Sequence, residues 1–284
     1  NTIAQRDGSG NLTASSYETP WGTFPNYTFF VDGTNGNDNN NGTSGAPFQT
    51  IDKALSMVPN GSISIIYLAG NNTYTLNSNY HFPLGHLEFV KWNGTTNPVI
   101  TSSLWNDTSQ SEMAMNYLSI NGSILFNQVD IVIPNLPSED TIDQIYQALI
   151  INYYNTTGEP LYVEFNYDTI TINNGFSFIS THNWGGFGNG VFLKDFGGTI
   201  KVQGNGMLVT GFPGPVLFNP SGTSINNASY SAVTNINQLI GGSGTVYADT
   251  FTGSLNGTAS NASQLSNMSV ATTATANTIA QRDG

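Results

Sequence analysis

Apolar and polar positions alternate with a period of two along much of the chain, in short segments that turn residues separate. Residues 63–69 (ISIIYLA) are typical of these segments, and many of the others are also rich in β-branched residues. This pattern predicts strands rather than helices. The predicted strands are 29–31, 63–69, 73–76, 86–92, 98–101, 117–120, 123–126, 129–133, 161–165, 168–172, 176–180, 191–193, 198–202 and 207–210. The chain is therefore predicted to be mostly all-β.

Two segments depart from this alternation and follow the helical period. A short helix is predicted over about 48–58, because apolar residues recur there at helical spacing and Pro47 and Pro59 flank them. A second short helix is predicted near 139–150, where the apolar residues of EDTIDQIYQALII fall on one face. This second helix marks the place, near 134–152, where the β-rich body would divide into two sub-units.

Composition changes along the chain and divides it into three zones. Residues 1–25 are polar and predict a connector, residues 26–218 form the β-rich body, and residues 219–284 are rich in small residues and predict a shaft-like connector. The octapeptide NTIAQRDG begins at Asn1 and recurs at Asn277. We interpret it as the mark of a unit repeated in tandem in a longer parent polypeptide, with a cloning or numbering artefact as the alternative.

Charge and cysteine content exclude several classes of function. The chain has a net charge of −12 with six Lys and Arg residues, so it cannot neutralise many phosphates and no nucleic-acid partner is expected. It has no cysteine, which excludes disulfide scaffolds and thiol chemistry. No apolar run approaches the roughly 20 residues of a spanning helix, and no signal peptide is visible, so we expect a processed piece without membrane insertion. A surface rich in Asn, Ser, Thr and Gly favours an extracellular or virion-surface location.

The first part of the body resembles the start of a right-handed parallel β-helix of the pectin-lyase-like kind. The matching segments are FVDG (30–33), GND (36–38), NGT (41–43), APFQTI (46–51), AL (54–55), IIYL (65–68) and TYTL (73–76). The resemblance implies that the helix near 48–58 caps the open end of a solenoid and that the following strands form its first coil.

The last zone resembles the shaft repeats of phage and large-virus tail fibres. The resemblance lies in the segment TVYADTFTGSLNGTASNA (245–262), in ATTATA (271–276), and in the terminal NTIAQRDG as it continues at 9–14. It implies an extended β fibre that assembles with copies of itself, usually as a trimer, because one such strand cannot bury enough surface alone. A disordered linker is the alternative for this zone.

Carboxylates are the only acid and base groups that would suit a glycan-cleaving protein of this kind. Glu164 and Asp168 bracket a predicted strand pair at even spacing, so they could share a face at catalytic separation, although a solvated strand face explains them as well. The acidic residues at 139–143 suit the cap of the second predicted helix. No convincing active site results, and the chain is expected not to be an enzyme.

Three further sets of residues are candidate binding or modification sites. Trp184 and Phe187 lie in a glycine-rich stretch and could stack on sugars, or alternatively plug a solenoid end or an interface. No cofactor is expected; calcium is the one candidate ion, and Asx-turns explain the same oxygen-rich loop. The loop's candidate calcium ligands are Asp32, Asn35, Asn37 and Asp38. The glycosylation sequons begin at Asn11, Asn26, Asn41, Asn60, Asn71, Asn93, Asn106, Asn121, Asn155, Asn227, Asn256, Asn261 and Asn267.

These patterns together favour a structural and adhesive function. The chain would be a tandemly repeated module of a viral surface or tail fibre that contacts host-surface glycans, with affinity raised by many copies. A tailspike-type polysaccharide depolymerase is the first alternative. A cellular extracellular filament or surface-layer protein is the second.

Overall fold

The structure is a computed structural model, and the chain divides into two compact units, Asn1–Thr252 and Gly253–Gly284. The described residues all belong to the first unit. They are 5–6, 12–13, 16–19, 22–107, 112–137, 148–151, 161–173, 175–180, 191–202, 207–210, 216–221, 224–226 and 244–246. The zone boundaries near 25 and 218 stay predictions.

The described residues form one short helix and many strands. The helix is α1 (Ile51–Ser56). The strands are β1 (Gln5–Arg6), β2 (Leu12–Thr13), β3 (Ser16–Thr19), β4 (Gly22–Val31), β5 (Ser62–Ala69), β6 (Thr73–Leu76), β7 (Tyr80–Asn93), β8 (Val99–Ser102), β9 (Leu104–Asp107), β10 (Glu112–Met115), β11 (Leu118–Asn127), β12 (Asp130–Ile133), β13 (Ala148–Ile151), β14 (Leu161–Asn166), β15 (Thr169–Ile172), β16 (Ser177–Ser180), β17 (Val191–Phe196), β18 (Thr199–Val202), β19 (Met207–Thr210), β20 (Val216–Ser221), β21 (Ser224–Asn226) and β22 (Gly244–Val246).

Two sheets, parallel except at one edge, contain most of these strands. The larger sheet has the order β22-β20-β17-β14-β11-β7-β5-β4-β3, with β13, β16 and β19 joined to it through β11. The second sheet has the order β21-β18-β15-β12-β8-β6. Pairing is parallel throughout both sheets except between β3 and β4 at the edge of the larger one. The mostly all-β class is therefore confirmed.

Rows of identical or similar apolar side chains fill the space between the sheets. In the larger sheet, register places Phe89, Phe126 and Phe165 side by side on β7, β11 and β14. In the second sheet it aligns an isoleucine from each of β8, β12, β15 and β18, in the order Ile100, Ile131, Ile170 and Ile200. All of these side chains are buried in one core cluster. Because alternate residues face the core, the residues between them face outward.

Helix α1 confirms the first predicted helix over a shorter span. Thr50 caps it, since its side chain accepts a hydrogen bond from the backbone N–H of Lys53 at 3.1 Å. Phe48 was predicted to be helical but precedes α1; its backbone bridges to Val31 and its ring is 1% exposed. The apolar residues from 48 onward therefore belong to two elements: Phe48 forms a β-bridge, and the helix begins at Ile51.

The second predicted helix, near 139–150, is wrong at its C-terminal end. Ala148–Ile151 is strand β13, which pairs in parallel with β11 and β16. All four residues are buried, so a run of apolar residues lies in a strand covered on both faces rather than on one face of a helix. Residues 138–147 lie outside the described part of the chain.

The predicted strands of the body are confirmed, but their bounds differ in places. Strands β4 and β7 begin well before the predicted 29–31 and 86–92, and the predicted 117–120 and 123–126 form the single strand β11. The antiparallel hairpin of β9 and β10 was not predicted. The connector at 1–25, expected to be irregular, contains β1, β2, β3 and the beginning of β4. Within the part of the chain that the structure describes, no helix is long and apolar enough to cross a membrane.

Candidate functional site

A groove of about 320 Å³ lies on the outward face of the larger sheet. We call it the outer groove. Strands β7, β11, β14 and β17 supply its walls, because they are neighbours in the sheet and their alternate side chains point away from the core. The groove is lined by His86, Ser123, Ile124, Leu125, Tyr162, Val163, Glu164, Phe192, Leu193 and Lys194.

Two aromatic rings form one side of the outer groove. Tyr162 and Phe192 are register partners on β14 and β17, and their rings stack with centroids 4.9 Å apart and planes 10° apart. Tyr162 is 51% exposed, so one large aromatic surface meets solvent at this place. An exposed stacked ring offers the flat apolar contact that the C–H face of a sugar can cover.

The Glu164 carboxylate is held beside these rings by two donors. Lys194 Nζ lies 3.4 Å from Glu164 Oε2, and Asn166 Nδ2 donates to Oε1 at 3.3 Å. Glu164 and Lys194 are register partners on adjacent strands, which brings the two side chains together. The ion pair lies at the surface and is screened by water, so it orients the carboxylate more than it stabilises the fold.

A second carboxylate lies in the same outward row of side chains. Glu88 pairs with Leu125 in register, and Leu125 pairs with Glu164. The two glutamates are therefore separated by two strand spacings, about 10 Å between their Cα atoms. Neither Glu88 nor its position in this row was identified from the sequence.

His86 lines the outer groove and contacts both a serine on the next strand and Glu88. Its Nδ1 lies 2.7 Å from Ser123 Oγ on the adjacent strand, and its Nε2 lies 4.0 Å from Glu88 Oε2. A second histidine–serine pair lies nearer the beginning of the same two strands, where His81 Nδ1 is 2.9 Å from Ser119 Oγ. Burial lowers the pKa of His81. Neither His81 nor Ser119 lines the outer groove.

Asp168, the predicted partner of Glu164, does not lie in the outer groove. Its side chain is 2% exposed, and its carboxylate accepts hydrogen bonds from the backbone N–H groups of Val129 at 2.7 Å and Asn166 at 3.2 Å. These contacts fasten the turn after β14 to the turn between β11 and β12. The even spacing of 164 and 168 did not place them on one open face, because β14 ends at Asn166.

The four candidate calcium ligands hold their own loop together. Asp32 accepts three hydrogen bonds from Thr34 and Asn35, at 2.9 to 3.1 Å. Asp38 accepts three from Gln49 and Thr50, at 2.8 and 2.9 Å. Asn37 Oδ1 accepts from the backbone of Asn39, and the Asn35 amide donates to Asp32. Asx-turns therefore account for these oxygens, and calcium stays a prediction.

These contacts predict acid sensitivity. Burial alone would raise the pKa of Asp38, but hydrogen bonds from Thr50 and Gln49, together with the Lys53 charge, hold that pKa below its ordinary value of 3.8. The stabilisation is complete above about pH 4 and is lost as the pH falls through the lowered pKa. We expect Asp38→Asn to lower Tm near neutral pH and to narrow the difference in Tm between about pH 7 and about pH 3, both measured by circular dichroism. An unchanged difference would contradict this role.

The remaining candidate residues divide by exposure. Trp184 and Phe187 lie outside the described residues, as do the sequons at Asn11, Asn155, Asn227, Asn256, Asn261 and Asn267. Asn121 is 9% exposed, and Asn26 has a buried side-chain oxygen. The exposed sequon asparagines are Asn41, Asn60, Asn71 and Asn93; Asn106 lies on β9. Glycosylation stays a prediction.

Within the described part of the chain, no three His, Asp or Glu side chains are grouped to hold a metal ion.

Comparison with known proteins yields two similar structures. A crystal structure of GH136 lacto-N-biosidase from Eubacterium ramulus matches with a TM-score of 0.39 and 8% identity, over 78% of this chain and 40% of that one. A rhamnogalacturonan lyase matches with a TM-score of 0.35 and 15% identity, over 70% of this chain and 60% of that one. The chain thus spans less than two thirds of either protein, and such low TM-scores do not establish a shared fold. No family model and no curated protein matches the chain.

These matches correct one expectation from the sequence. The chain was expected not to be an enzyme, whereas both similar structures are enzymes. A viral or tail-fibre function gains no support from either match.

Proposed function

We propose that the chain is a glycan-cleaving protein of the polysaccharide depolymerase class and that the outer groove is its active site. The observation that carries the proposal is the placement of an oriented carboxylate, Glu164, beside the exposed stacked rings of Tyr162 and Phe192. The rings supply a surface for a sugar face, and the carboxylate supplies a proton-transfer group at the edge of that surface.

In this proposal Glu88, which lies in the outward row of Glu164 but outside the groove lining, is the second carboxylate of a glycosidic hydrolysis. One carboxyl group would donate a proton to the leaving oxygen, and the other would activate a water molecule on the opposite side of the sugar ring. Their Cα separation of about 10 Å suits the wider of the two carboxylate spacings, about 6.5–9.5 Å between carboxyl groups, which leaves room for that water. The reaction would then invert the configuration at the anomeric carbon.

The arrangement of the strands supports a proposal for the fold that presents this site. Apart from β3, the strands of the larger sheet pair in parallel with strands some tens of residues away in the chain, and the second sheet repeats the same succession. We propose that the body is a parallel β-helix whose larger sheet carries the outer groove. In that arrangement, each added coil would extend the outward rows by one strand spacing.

The variant Glu164→Gln tests the proposed activity. We expect the wild type to release reducing ends from at least one member of a panel of neutral and acidic polysaccharides. The variant should lose about 10²–10⁴-fold in rate, because the amide can no longer transfer a proton. Following the anomeric configuration of the first product by NMR tests the inverting course.

A matched variant separates catalysis from folding. Glu112→Gln makes the same change in the β10 strand, at a half-buried position outside the groove lining, and should retain full activity. Equal losses in the two variants, or no product from the wild type across the panel, would count against the proposal. Circular dichroism and Tm of each variant establish that it is folded.

The repeated octapeptide supports a separate proposal about the larger assembly to which this module belongs. We propose that the module is repeated along an extracellular or virion-surface fibre that assembles with copies of itself and contacts host-surface polysaccharide. The recurrence of NTIAQRDG at Asn1 and Asn277 supports it. Many copies would raise the avidity of a weak site for a polymer that displays many identical sugars.

A further inference from the structure

We propose that Ser123, His86 and Glu88 form a nucleophilic ester-hydrolysing site that removes O-acyl groups, such as acetyl, from a glycan in the outer groove. This activity goes beyond the cleavage of glycosidic bonds and does not use Glu164. It assigns a function to three polar side chains on adjacent strands.

The serine and the histidine have the geometry of a nucleophile and its base. Ser123 Oγ lies 2.7 Å from His86 Nδ1, within the 2.6–3.2 Å that such a pair requires. Register fixes this contact, because Ser123 on β11 is the direct partner of His86 on β7. The base can therefore take the hydroxyl proton without rearrangement of the backbone.

The glutamate lies near the other nitrogen of the histidine ring, beyond hydrogen-bond distance. Glu88 Oε2 lies 4.0 Å from His86 Nε2, on the side of the ring away from Ser123. A carboxylate there favours a proton on Nε2, which leaves the lone pair of Nδ1 directed at the serine hydroxyl. It also faces the positive charge that forms on the ring when the proton is taken up. Glu88 is thus a positioning residue.

The surroundings admit an ester-bearing sugar. Both Ser123 and His86 line the outer groove, and Tyr162, the register partner of Ser123 on the other side, supplies the exposed ring. Lys194 is the one cation among the described lining residues. It lies on β17, two strands from Ser123, and its ammonium is paired with Glu164.

The chemistry balances with water as the only co-reactant. Ser123 Oγ attacks the acyl carbon, and its proton passes to His86 Nδ1. The bond from the acyl carbon to the sugar oxygen breaks, and that oxygen takes the proton from His86. Water then attacks the acyl-serine with His86 as base, which releases the carboxylic acid and restores the serine.

The chain contains its own control for this site. Ser119 and His81 form a similar contact, with Nδ1 to Oγ at 2.9 Å, but Ser119 is only 1% exposed and lies outside the groove lining. A reagent that requires an accessible nucleophile should therefore distinguish these two serines, which lie on the same strand, β11.

The experiment measures ester hydrolysis and covalent labelling by the whole chain. We expect acetate release from acetylated xylan, hydrolysis of p-nitrophenyl acetate, and a fluorophosphonate adduct that peptide mass mapping places on Ser123. Ser123→Ala should lower kcat/KM by at least about a hundredfold and abolish the adduct, whereas Ser119→Ala should retain both. Glu88→Gln should lower kcat by at least about tenfold with little change in KM, as expected of a residue that acts through His86.

Each other result would overturn the proposal. Absence of both ester hydrolysis and labelling in the wild type, an adduct on a different residue, or equal losses in Ser119→Ala and Ser123→Ala would exclude a nucleophilic Ser123. A Glu88→Gln variant that changes KM alone would remove the positioning role. These readouts detect acid and adduct rather than reducing ends, so failure here is distinguishable from failure of the glycan-cleaving activity.

Discussion

Replacing Gly122 with alanine is expected to destabilise the protein by about 3 kcal/mol or more. Gly122 lies in β11 beside Gly85 of β7, where the register between the two strands shifts. Its φ of 142° is one that side chains rarely adopt, and an added Cβ would lie 2.1 Å from the carbonyl oxygen of Gly85. The neighbour is backbone, so it cannot turn aside as a flexible side chain could.

Chemical denaturation measures this effect, and Gly45→Ala is its control. An added Cβ at Gly45 meets no atom within 4 Å, so we expect a change within about 0.5 kcal/mol there. A Gly122→Ala variant as stable as Gly45→Ala would mean that the two strands do not approach closely at this register shift. Because Ser123 follows Gly122, the same variant should also displace the serine from His86.

Replacing Phe126 with alanine is expected to cost about 3–5 kcal/mol of unfolding free energy. The Phe126 ring is fully buried and stacks on that of Phe89, with centroids 5.4 Å apart and planes 10° apart, and it also contacts Phe178. Removing it leaves a cavity between side chains that adjacent strands fix in place, so the core cannot easily collapse around it. The urea midpoint and Tm should both fall.

Tyr162→Ala serves as the comparison for this prediction. Tyr162 is a register neighbour on β14 with a ring 51% exposed, so its removal should cost about 1.5 kcal/mol or less. If the two variants lost equal stability, the inward row of phenylalanines would not be the core of the body. The comparison therefore tests which face of the larger sheet is buried.

The strands of the body were predictable because their side chains alternate between a buried face and a more exposed one. Residues 161–172 show this clearly, since β14 and β15 both alternate buried with more exposed positions. Strand β13 was not predictable, because Ala148–Ile151 is buried on both faces and a short apolar run has no period that separates strand from helix. The acidic residues before it completed the apparent signature of a helix.

The outer groove could be predicted only in part. Glu164 was identified as a carboxylate on a strand, but its partner was sought four residues along the chain rather than two strands across the sheet. Ser123, Tyr162 and Phe192 are far apart in sequence and are brought together by register alone. Register depends on the lengths of the connections, which carry no local pattern, so no motif marked these residues.

The parallel ladder also has a mechanical consequence. Through most of the larger sheet, each strand is hydrogen-bonded only to its two neighbours in the sheet. A force is therefore transmitted through the sheet from one strand pair to the next. A pull on the last strands would peel them away singly rather than break the body at once. At the other end, Phe48 and α1 belong to the core cluster, and α1 packs against β4 and β6. Resistance to shear would therefore be greater at the end that α1 covers than in the middle of the ladder, where a strand has only its two neighbours.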